Sequence, residues 1–264
     1  MSRLPLTLRI FRVILEKREE TASGIRRAAG GGGFVETYQT VGRQSETEIV
    51  IKKSRFIGRA ARVSTEEEAA AFLEAIRRKH WDAAHNCYAY TIGPHSEIQR
   101  SSDDGEPAGT AGRPILEVLH HMNLRDTLVV VTRYFGGVLL GAGGLARAYG
   151  HAASEAVRAA GILRRRPHVR VRIRLPYPAF GKLEHHLAQR GWPREEPVFA
   201  EDVRLTVYVP RGREHECQSA AADATAGQVD IRFEEEVWLD EVDGTARVPS
   251  SLSEDFSGSN SPEG

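Results

Sequence analysis

A glycine-rich stretch between an apolar run and an alanine-rich run is the part of this sequence best suited to chemistry. Residues 129–149 read VVVTRYFGGVLLGAGGLARAY and contain five glycines: Gly136, Gly137, Gly141, Gly143 and Gly144. A strand, a glycine loop and a helix in this order present free backbone N–H groups at a helix N-terminus, where a phosphate or another anion binds well. Glycines also permit positive φ angles and close packing without any ligand, so the residues alone leave both uses open.

The spacing of these glycines excludes the two best-known phosphate loops. A Walker loop ends in Gly-Lys-Ser/Thr, whereas Gly144 is followed by Leu145. A dinucleotide-binding loop is followed by an acid about 20 residues later, whereas this stretch runs into arginines after Gly161. The glycine loop on its own is therefore a weak indication of nucleotide binding.

Charged and aromatic residues flank the glycine loop. Arg133 and Tyr134 precede it, and Arg147 lies in the segment that follows. An arginine and an aromatic ring there could grip a phosphate and stack on a base. Equally, Arg133 could form an ion pair with Asp103 or Asp104 and so give structure to the polar loop that we expect over residues 101–112.

Three carboxylates, Asp103, Asp104 and Glu106, surround Gly105 in that polar loop. They could hold Mg²⁺ beside a phosphate ligand or act as an acid–base pair. Asp-Gly is also a strong turn former whose carboxylates cap nearby N–H groups, and the sequence favours this turn. We predict that the three residues belong to a binding site with Arg133 and the glycine loop, with no catalytic residue and no resident cofactor.

His85 and Cys87 lie two residues apart on one face of a strand, which is a possible spacing for metal ligands. No second close pair completes a set of four ligands. A packed thiol and a hydrogen-bonded imidazole are therefore favoured, and no metal site is predicted.

A second candidate surface follows Pro167, where apolar residues and arginines alternate through residues 169–175. This alternation predicts a half-buried strand with its arginines on the exposed side. With the next strand it would form a basic sheet resembling an RNA platform, here called the arginine face: Arg170, Arg172, Arg174, Arg204, Thr206 and Tyr208.

Charge is unevenly distributed along the chain although the formal net charge is zero. From residue 234 onward there are nine acids and one base, so the rest of the chain carries a surplus of eight bases. A basic body permits contact with nucleic acid, while an ordinary arginine-rich surface explains the surplus equally well.

The pattern of apolar residues predicts two structured units between disordered ends. We expect a disordered extension over residues 1–33, domains over 34–165 and 166–240, and a disordered acidic tail over 241–264. Hydrophobic periodicity in the second domain gives the order βαββαβ, which is the ferredoxin-like pattern. Two distant cysteines and apolar runs far shorter than the ~20 residues of a membrane span favour the cytoplasm and exclude a membrane role.

Five motifs in a fixed order carry a family resemblance. They are IKKSRFIGRA (51–60), HNCYAYTIG (85–93), SDDGEPAGTAGRPIL (102–116), VVTRYFGG (130–137) and LGAGGLARAY (140–149). Together they resemble the YigZ/IMPACT family over roughly residues 38–239. One departure is Ala108, where many relatives have serine, which weakens any role for a hydroxyl group at that position.

The resemblance implies an α+β protein. It implies a first domain like domain IV of elongation factor G, with a ribosomal-protein-type βαβ superfold, and a small ferredoxin-like second domain. Eukaryotic members of this family regulate translation. The resemblance therefore favours a non-catalytic, translation-associated protein that binds RNA, the ribosome or a translation factor, without specificity for a DNA sequence.

Two other readings stay open. One is an enzyme that acts on a phosphorylated or nucleotide substrate over residues 141–146, with Asp103, Asp104 and Mg²⁺ supplying electrostatic stabilisation. The other is a module that binds only proteins. Affinity for RNA would favour the translation-associated protein, turnover of a nucleotide would favour the enzyme, and the absence of both would leave the protein-binding module.

Overall fold

The computed structural model describes residues 37–242 and 244–248. The first part of the described chain contains the elements β1 (Tyr38–Val41), β2 (Ser45–Ile51), β3 (Ser54–Arg62), α1 (Glu66–Lys79), β4 (His85–Ile92), β5 (Ile98–Ser102), α2 (Gly112–His121), β6 (Thr127–Tyr134) and α3 (Ala142–Ala160). The second part contains β7 (Ile162–Leu175), α4 (Tyr177–Arg190), β8 (Val198–Phe199), β9 (Val203–Pro210), α5 (Glu214–Thr225), β10 (Asp230–Val242) and β11 (Thr245–Arg247).

The first sheet is antiparallel throughout and has the strand order β2-β3-β6-β4-β5. Its central strand β6 is buried on both faces, which explains its continuous apolar run over residues 128–131. Helices α2 and α3 pack on the face that contains Val129 and Val131. Helix α1 covers the opposite face, with Leu128 and Val130.

Helix α3 lies unusually close to β3 because both elements carry small residues. A Cβ added at Gly58 would lie 2.5 Å from the carbonyl oxygen of Ala152 and 3.2 Å from the Cβ of Ala156. The alanines of α3 therefore let the helix approach the sheet. This packing places the N-terminus of α3 near the C-terminal end of the central strand β6.

The second sheet has the ferredoxin-like strand order. In the path β11-β10-β7-β9-β8, the four strands of the βαββαβ unit follow the order fourth, first, third, second. Helices α4 and α5 cover its apolar face, where Val171, Leu183 and Val207 are fully buried. The predicted α+β class and ferredoxin-like unit are confirmed.

The long strand β7 runs through the predicted domain boundary at residues 165 and 166. Its first residues pair with β1, in the register Tyr38 to Arg165. The guanidinium of Arg165 donates to the hydroxyl of Tyr38 at 2.8 Å, and the Tyr38 hydroxyl in turn donates to Asp126. Strand β1 thus joins the second sheet although it precedes the first in sequence.

Three short strands were missed by sequence reasoning. Strands β1 and β11 have four and three residues, too few to show a period. Strand β5 reads IQRSS and pairs at the sheet edge, where polar side chains are tolerated. The pair β10–β11 also includes residues 241, 242 and 245–247, which were expected in a disordered tail. Residues 249–264 of that tail and residues 1–33 lie outside the described residues.

None of the helices described is both long and apolar enough to span a membrane.

Candidate functional site

Asp103 uses its carboxylate to hold the start of helix α2. One oxygen accepts from the backbone N–H groups of Ala111 and Gly112 at 2.9 Å each, and the other accepts from Gly109 at 2.8 Å. Burial acts to raise the pKa of Asp103, but these three bonds outweigh burial and hold the pKa below its usual 3.8. The favoured interpretation of the polar loop as a capped turn thus describes Asp103.

Asp104 joins the same loop to strand β4. Its carboxylate accepts from the backbone N–H of Asn86 at 2.6 Å and lies 3.6 Å from Arg77. Its backbone oxygen is 2.8 Å from Nδ1 of His85. Because a carbonyl can only accept, Nδ1 carries the hydrogen and the other ring nitrogen, Nε2, is an acceptor in the neutral ring.

Glu106, not Asp103 or Asp104, is the partner of Arg133. The expected pairing of Arg133 with either aspartate is wrong, because both aspartates bond to backbone N–H groups. Nη1 of Arg133 lies 2.6 Å from Oε1 of Glu106, with both side chains more than nine-tenths buried. The hydroxyl of Tyr149, on α3, donates to the same oxygen at 2.7 Å.

Two buried side chains, Cys87 and Tyr149, surround this pair. The thiol of Cys87 donates to the backbone oxygen of Asp103 at 2.9 Å, and burial raises the pKa of Cys87 to about 12. Burial, with Cys87 and Glu106 nearby, also raises the pKa of Tyr149. Both groups therefore stay protonated near neutral pH, as the packed-thiol interpretation requires. No group of three or more His, Cys, Asp or Glu side chains within the described part of the chain is arranged to hold a metal ion.

The glycines of the glycine loop differ in their structural roles. A Cβ at Gly136 would lie 2.0 Å from the backbone of Lys53, so this glycine lets the loop touch the β2–β3 hairpin. Gly141 precedes α3 with φ 71°, a value that favours glycine. Gly143 is exposed, and a Cβ there would have no neighbour within 4 Å. Packing therefore accounts for Gly136 but not for Gly143.

The N-terminus of α3 is open. No side chain caps it, and its first turn contains no acidic residue. The first N–H groups of a helix lack partners within the helix, so those of Ala142, Gly143 and Gly144 face outward. The helix dipole adds about half a positive charge at this end.

A cleft of about 400 Å³ runs from this helix end to the Glu106–Arg133 pair. It is called the Glu106 cleft below, and its lining includes His85, Glu106, Arg133, Phe135, Leu139 and Gly141. Asp103 and Asp104 do not line it and touch it only through the polar loop. The structure thus brings Glu106, Arg133 and Gly141 together, and it places the two aspartates behind them.

Tyr134 lies on the other face of the sheet from Arg133, as adjacent strand residues must. Its hydroxyl is 2.9 Å from Nδ1 of His80 and donates to Asp82 at 3.0 Å. Tyr134 therefore does not share the Glu106 cleft.

Cations gather on the opposite side of the glycine loop. A groove of about 360 Å³ is lined by Lys52, Gly144, Arg147 and His151. Lys53 follows Lys52 in the hairpin that touches Gly136. Lys52, Lys53 and Arg147 form no ion pair with any residue that the structure describes. We call these three residues the hairpin cations.

The arginine face is less exposed than its alternation suggests. Arg170, Thr206 and Tyr208 are buried, because residues 193–195 cross the sheet and hydrogen-bond to β9. The hydroxyl of Tyr208 donates to Glu195 at 2.6 Å, and Arg170 lies 3.7 Å from the same carboxylate. The expectation of a free basic face is wrong for these three residues.

The remaining arginines of that face are exposed but mostly neutralised. Arg172 pairs with Glu234 at 3.1 Å and Arg174 with Asp202 at 2.6 Å. Arg204 is exposed beside them. The face thus keeps little uncompensated positive charge.

Comparison with known proteins decides the family. The protein named "IMPACT family member YvyE" from Bacillus subtilis (strain 168) is 43% identical over 207 residues, which cover 78% of this chain and 95% of the relative. The chain belongs to the IMPACT family. The resemblance that the motifs suggested is confirmed.

Other comparisons agree with membership of the IMPACT family. The family model "Impact N-terminal domain" matches residues 52–157, and "Domain of unknown function (DUF1949)" matches residues 173–228. "IMPACT family member YigZ" from Escherichia coli (strain K12) is 37% identical over 70% of this chain and 92% of its own. "Protein IMPACT" from Oryctolagus cuniculus is 38% identical over 35% of this chain and 30% of its own.

A solved structure titled "Crystal structure of an hypothetical protein" has a TM-score of 0.54 and 34% sequence identity, and the match covers 76% of this chain and 98% of that one. This likeness supports the two-domain α+β fold for a member of the IMPACT family.

Sequence reasoning missed several residues of this IMPACT family site. Tyr149 closes the motif LGAGGLARAY and bonds to Glu106, yet its spacing reads as an ordinary core position. Phe135 is 53% exposed and Leu139 is 82% exposed. The signal available in the sequence was the presence of large apolar residues within a glycine-rich loop, where few neighbouring side chains can cover them.

Proposed function

We propose that this chain is a non-catalytic, translation-associated protein that binds RNA with the N-terminal end of α3 and the hairpin cations. The observation that carries the proposal is the open helix end next to a groove lined by Lys52 and Arg147. Neither these two residues nor the adjacent Lys53 forms an ion pair with any carboxylate that the structure describes. The link to translation follows from the family resemblance of the motifs.

Charge compensation favours this surface over the arginine face. Lys52, Lys53 and Arg147 are available to neutralise phosphates, whereas Arg172 and Arg174 already pair with carboxylates. Neutralising phosphates releases counterions from the nucleic acid, which supplies much of its affinity for proteins. The free N–H groups of α3 add donors that suit a phosphate oxygen.

Exposed apolar side chains in the glycine loop favour single-stranded over double-stranded RNA. Phe135 and Leu139 stand in the glycine loop next to the helix end. Single-stranded RNA exposes base faces that stack on such side chains, and paired bases do not.

Fluorescence anisotropy with a labelled single-stranded RNA tests the proposal, with titrations at several salt concentrations. Each phosphate contact contributes about 0.7 to the slope of log affinity against log salt. Changing Lys52, Lys53 and Arg147 to glutamine should flatten that slope by up to about 2. The matched control changes Arg172, Arg174 and Arg204 to glutamine and should leave the slope near that of the wild type.

A second variant tests the helix end without changing charge. Gly143→Val places a side chain over the free N–H groups, and no neighbour obstructs its Cβ. The variant should fold normally and bind RNA more weakly. Wild-type binding that does not depend on salt, or a slope that falls only in the arginine-face control, would refute the proposal. Co-sedimentation of the full chain with ribosomes, lost in the lysine and arginine triple variant, tests the link to translation.

One observation favours an enzyme as the second candidate. Nε2 of His85 lines the Glu106 cleft without a hydrogen-bond partner among the described residues, and it lies next to a buried carboxylate and a helix N-terminus. A base in that position would suit a reaction of a phosphorylated substrate. Incubating the chain with Mg²⁺ and nucleotides or phosphomonoesters, followed by product analysis, tests this candidate, and the absence of turnover removes it.

A further inference from the structure

The Glu106 cleft contains one solvent-accessible oxygen of an otherwise buried carboxylate, and this oxygen has no partner among the described residues. Arg133 and Tyr149 both donate to Oε1 of Glu106, and Nε2 of His85 is 3.9 Å from that oxygen. Oε2 accepts no hydrogen bond from the described residues and is not sealed from solvent, although the side chain is only 3% exposed. A carboxylate oxygen in so enclosed a place calls for a hydrogen-bond donor.

His85 supplies a second acceptor beside the first. The backbone oxygen of Asp104 fixes the hydrogen on Nδ1, so Nε2 presents a lone pair to the cleft. The cleft therefore offers two acceptors, Oε2 of Glu106 and Nε2 of His85, and the latter lies 3.9 Å from Oε1 of the same carboxylate. Its complement is a planar group with two adjacent N–H donors.

The opposite end of the cleft has the reverse chemistry. Gly141 and Ala142 line it there, at the helix end whose N–H groups lack a cap. That end favours an anion. Between the two ends, the exposed side chains of Phe135 and Leu139 provide apolar surface for a flat ring.

We propose that the Glu106 cleft binds one guanine nucleotide of a single-stranded RNA. The 2-amino group of guanine donates to Glu106, its N1–H donates to His85, the ring lies on Phe135, and the phosphate rests on the N-terminus of α3. The volume of about 400 Å³ lies in the lower part of the range for small-ligand sites, about 300–1,000 Å³, which suits a single nucleotide. This inference rests on the proposed RNA-binding function and adds a base preference to it.

Guanine is favoured over the other bases by its hydrogen-bonding edge. Adenine and cytosine each present one amino group next to an acceptor nitrogen, and that nitrogen would face an acceptor of the cleft. Uracil offers a single N–H between two carbonyl oxygens. Only guanine places two donors side by side.

Calorimetric titration of the full chain with free nucleotides tests the base and the phosphate separately. Guanosine monophosphate should bind more tightly than inosine monophosphate, which lacks the 2-amino group, by about tenfold or more, the effect of losing one hydrogen bond to a charged acceptor. Adenosine and cytidine monophosphates should bind still more weakly. Guanosine without phosphate should lose affinity because the helix end has no anion to bind.

Labelled oligonucleotides distinguish an RNA site from a site for a free nucleotide. A uridine hexamer with one central guanosine should bind more tightly than the all-uridine hexamer. Phe135→Ala should remove that difference. Its matched control is Phe199→Ala, which truncates a similarly exposed ring in the other sheet. Both rings are exposed, so both variants should fold. Glu106→Gln is a supporting variant, because it also removes the counter-charge of buried Arg133.

Each outcome bears on at least one of the two proposals. Salt-dependent RNA binding without preference for guanosine, or equal affinity for all mononucleotides, overturns the guanine site and leaves the proposed function intact. Preference for guanosine monophosphate without any RNA binding overturns the RNA function and, with it, the assignment of the cleft to RNA, because the cleft would then bind only a free guanine nucleotide. Loss of guanosine preference in Phe199→Ala as well as in Phe135→Ala also overturns the assignment to this cleft.

Discussion

Replacing Arg133 with methionine should cost far more stability than an ordinary surface change. Methionine keeps much of the volume of the side chain but removes its charge. Glu106 would then remain buried with only Tyr149 as a donor, because its second oxygen has no partner among the described residues. The change thus separates the loss of charge compensation from the loss of packing.

The expected magnitude follows from the burial of the pair. The two side chains are 7% and 3% exposed and lie 2.6 Å apart. Breaking such a buried pair by removing one partner costs about 3–5 kcal/mol. The matched control is Arg113→Met, because Arg113 and Glu117 form an ion pair with 78% and 51% exposure. Exposed helical pairs of this kind contribute about 0.3–0.5 kcal/mol.

Urea unfolding followed by circular dichroism measures the effect. With a slope of about 1–3 kcal/mol per molar urea, Arg133→Met should lower the urea midpoint of unfolding by about 1 M or more. Glu106→Gln alone should also destabilise, since it leaves a buried cation without its partner. The double variant should be more stable than the sum of the two losses by at least about 2 kcal/mol, because neither charge remains. Additive losses, or a single variant within 1 kcal/mol of the control, would refute this account of the pair.

Two further predictions concern the elements that hold the site. Gly58→Ala should destabilise the protein by about 1–3 kcal/mol in thermal unfolding, because the added Cβ would press on Ala152. The control Gly150→Ala, in the open part of α3, should stabilise it by about 0.5–1 kcal/mol. Equal effects of the two changes would contradict the close approach of α3 to β3. Asp103→Ala should cost about 2–3 kcal/mol near pH 7, and since the pKa of Asp103 is lowered in the folded state, the contribution is complete above about pH 4 and fades as the pH falls through the folded pKa. Urea unfolding from pH 7 to pH 3 should show this deficit shrinking, and a constant deficit would speak against the capping role.

Local signals in the sequence were sufficient for much of the fold. The strict alternation of residues 169–175 correctly identifies the core side of β7, where Val171 and Ile173 are buried. The Asp-Gly turn correctly predicts a capping carboxylate at Asp103. Both features depend on neighbours within about ten residues, which a sequence pattern records.

Partners that are distant in sequence could not be chosen from the sequence. The sequence suggested Asp103 or Asp104 as the partner of Arg133. Arg133 pairs instead with Glu106 of the same loop, because both aspartates accept hydrogen bonds from backbone N–H groups. The arginine face fails for the same reason. Alternation shows that Arg170 points away from the core, but not that Glu195 comes from a later segment to cover it.

The glycine loop shows how structure separates residues that look alike in sequence. Gly136 is required by the backbone of Lys53, and Gly141 by a positive φ. Gly143 has neither reason, and a glycine within a helix costs about 1 kcal/mol relative to alanine. A side chain there would cover the N–H groups that a ligand would use. Packing leaves this glycine unexplained, and access of a ligand to the helix end is the role that we propose for it. Gly143→Val is therefore the change that most directly separates binding from folding.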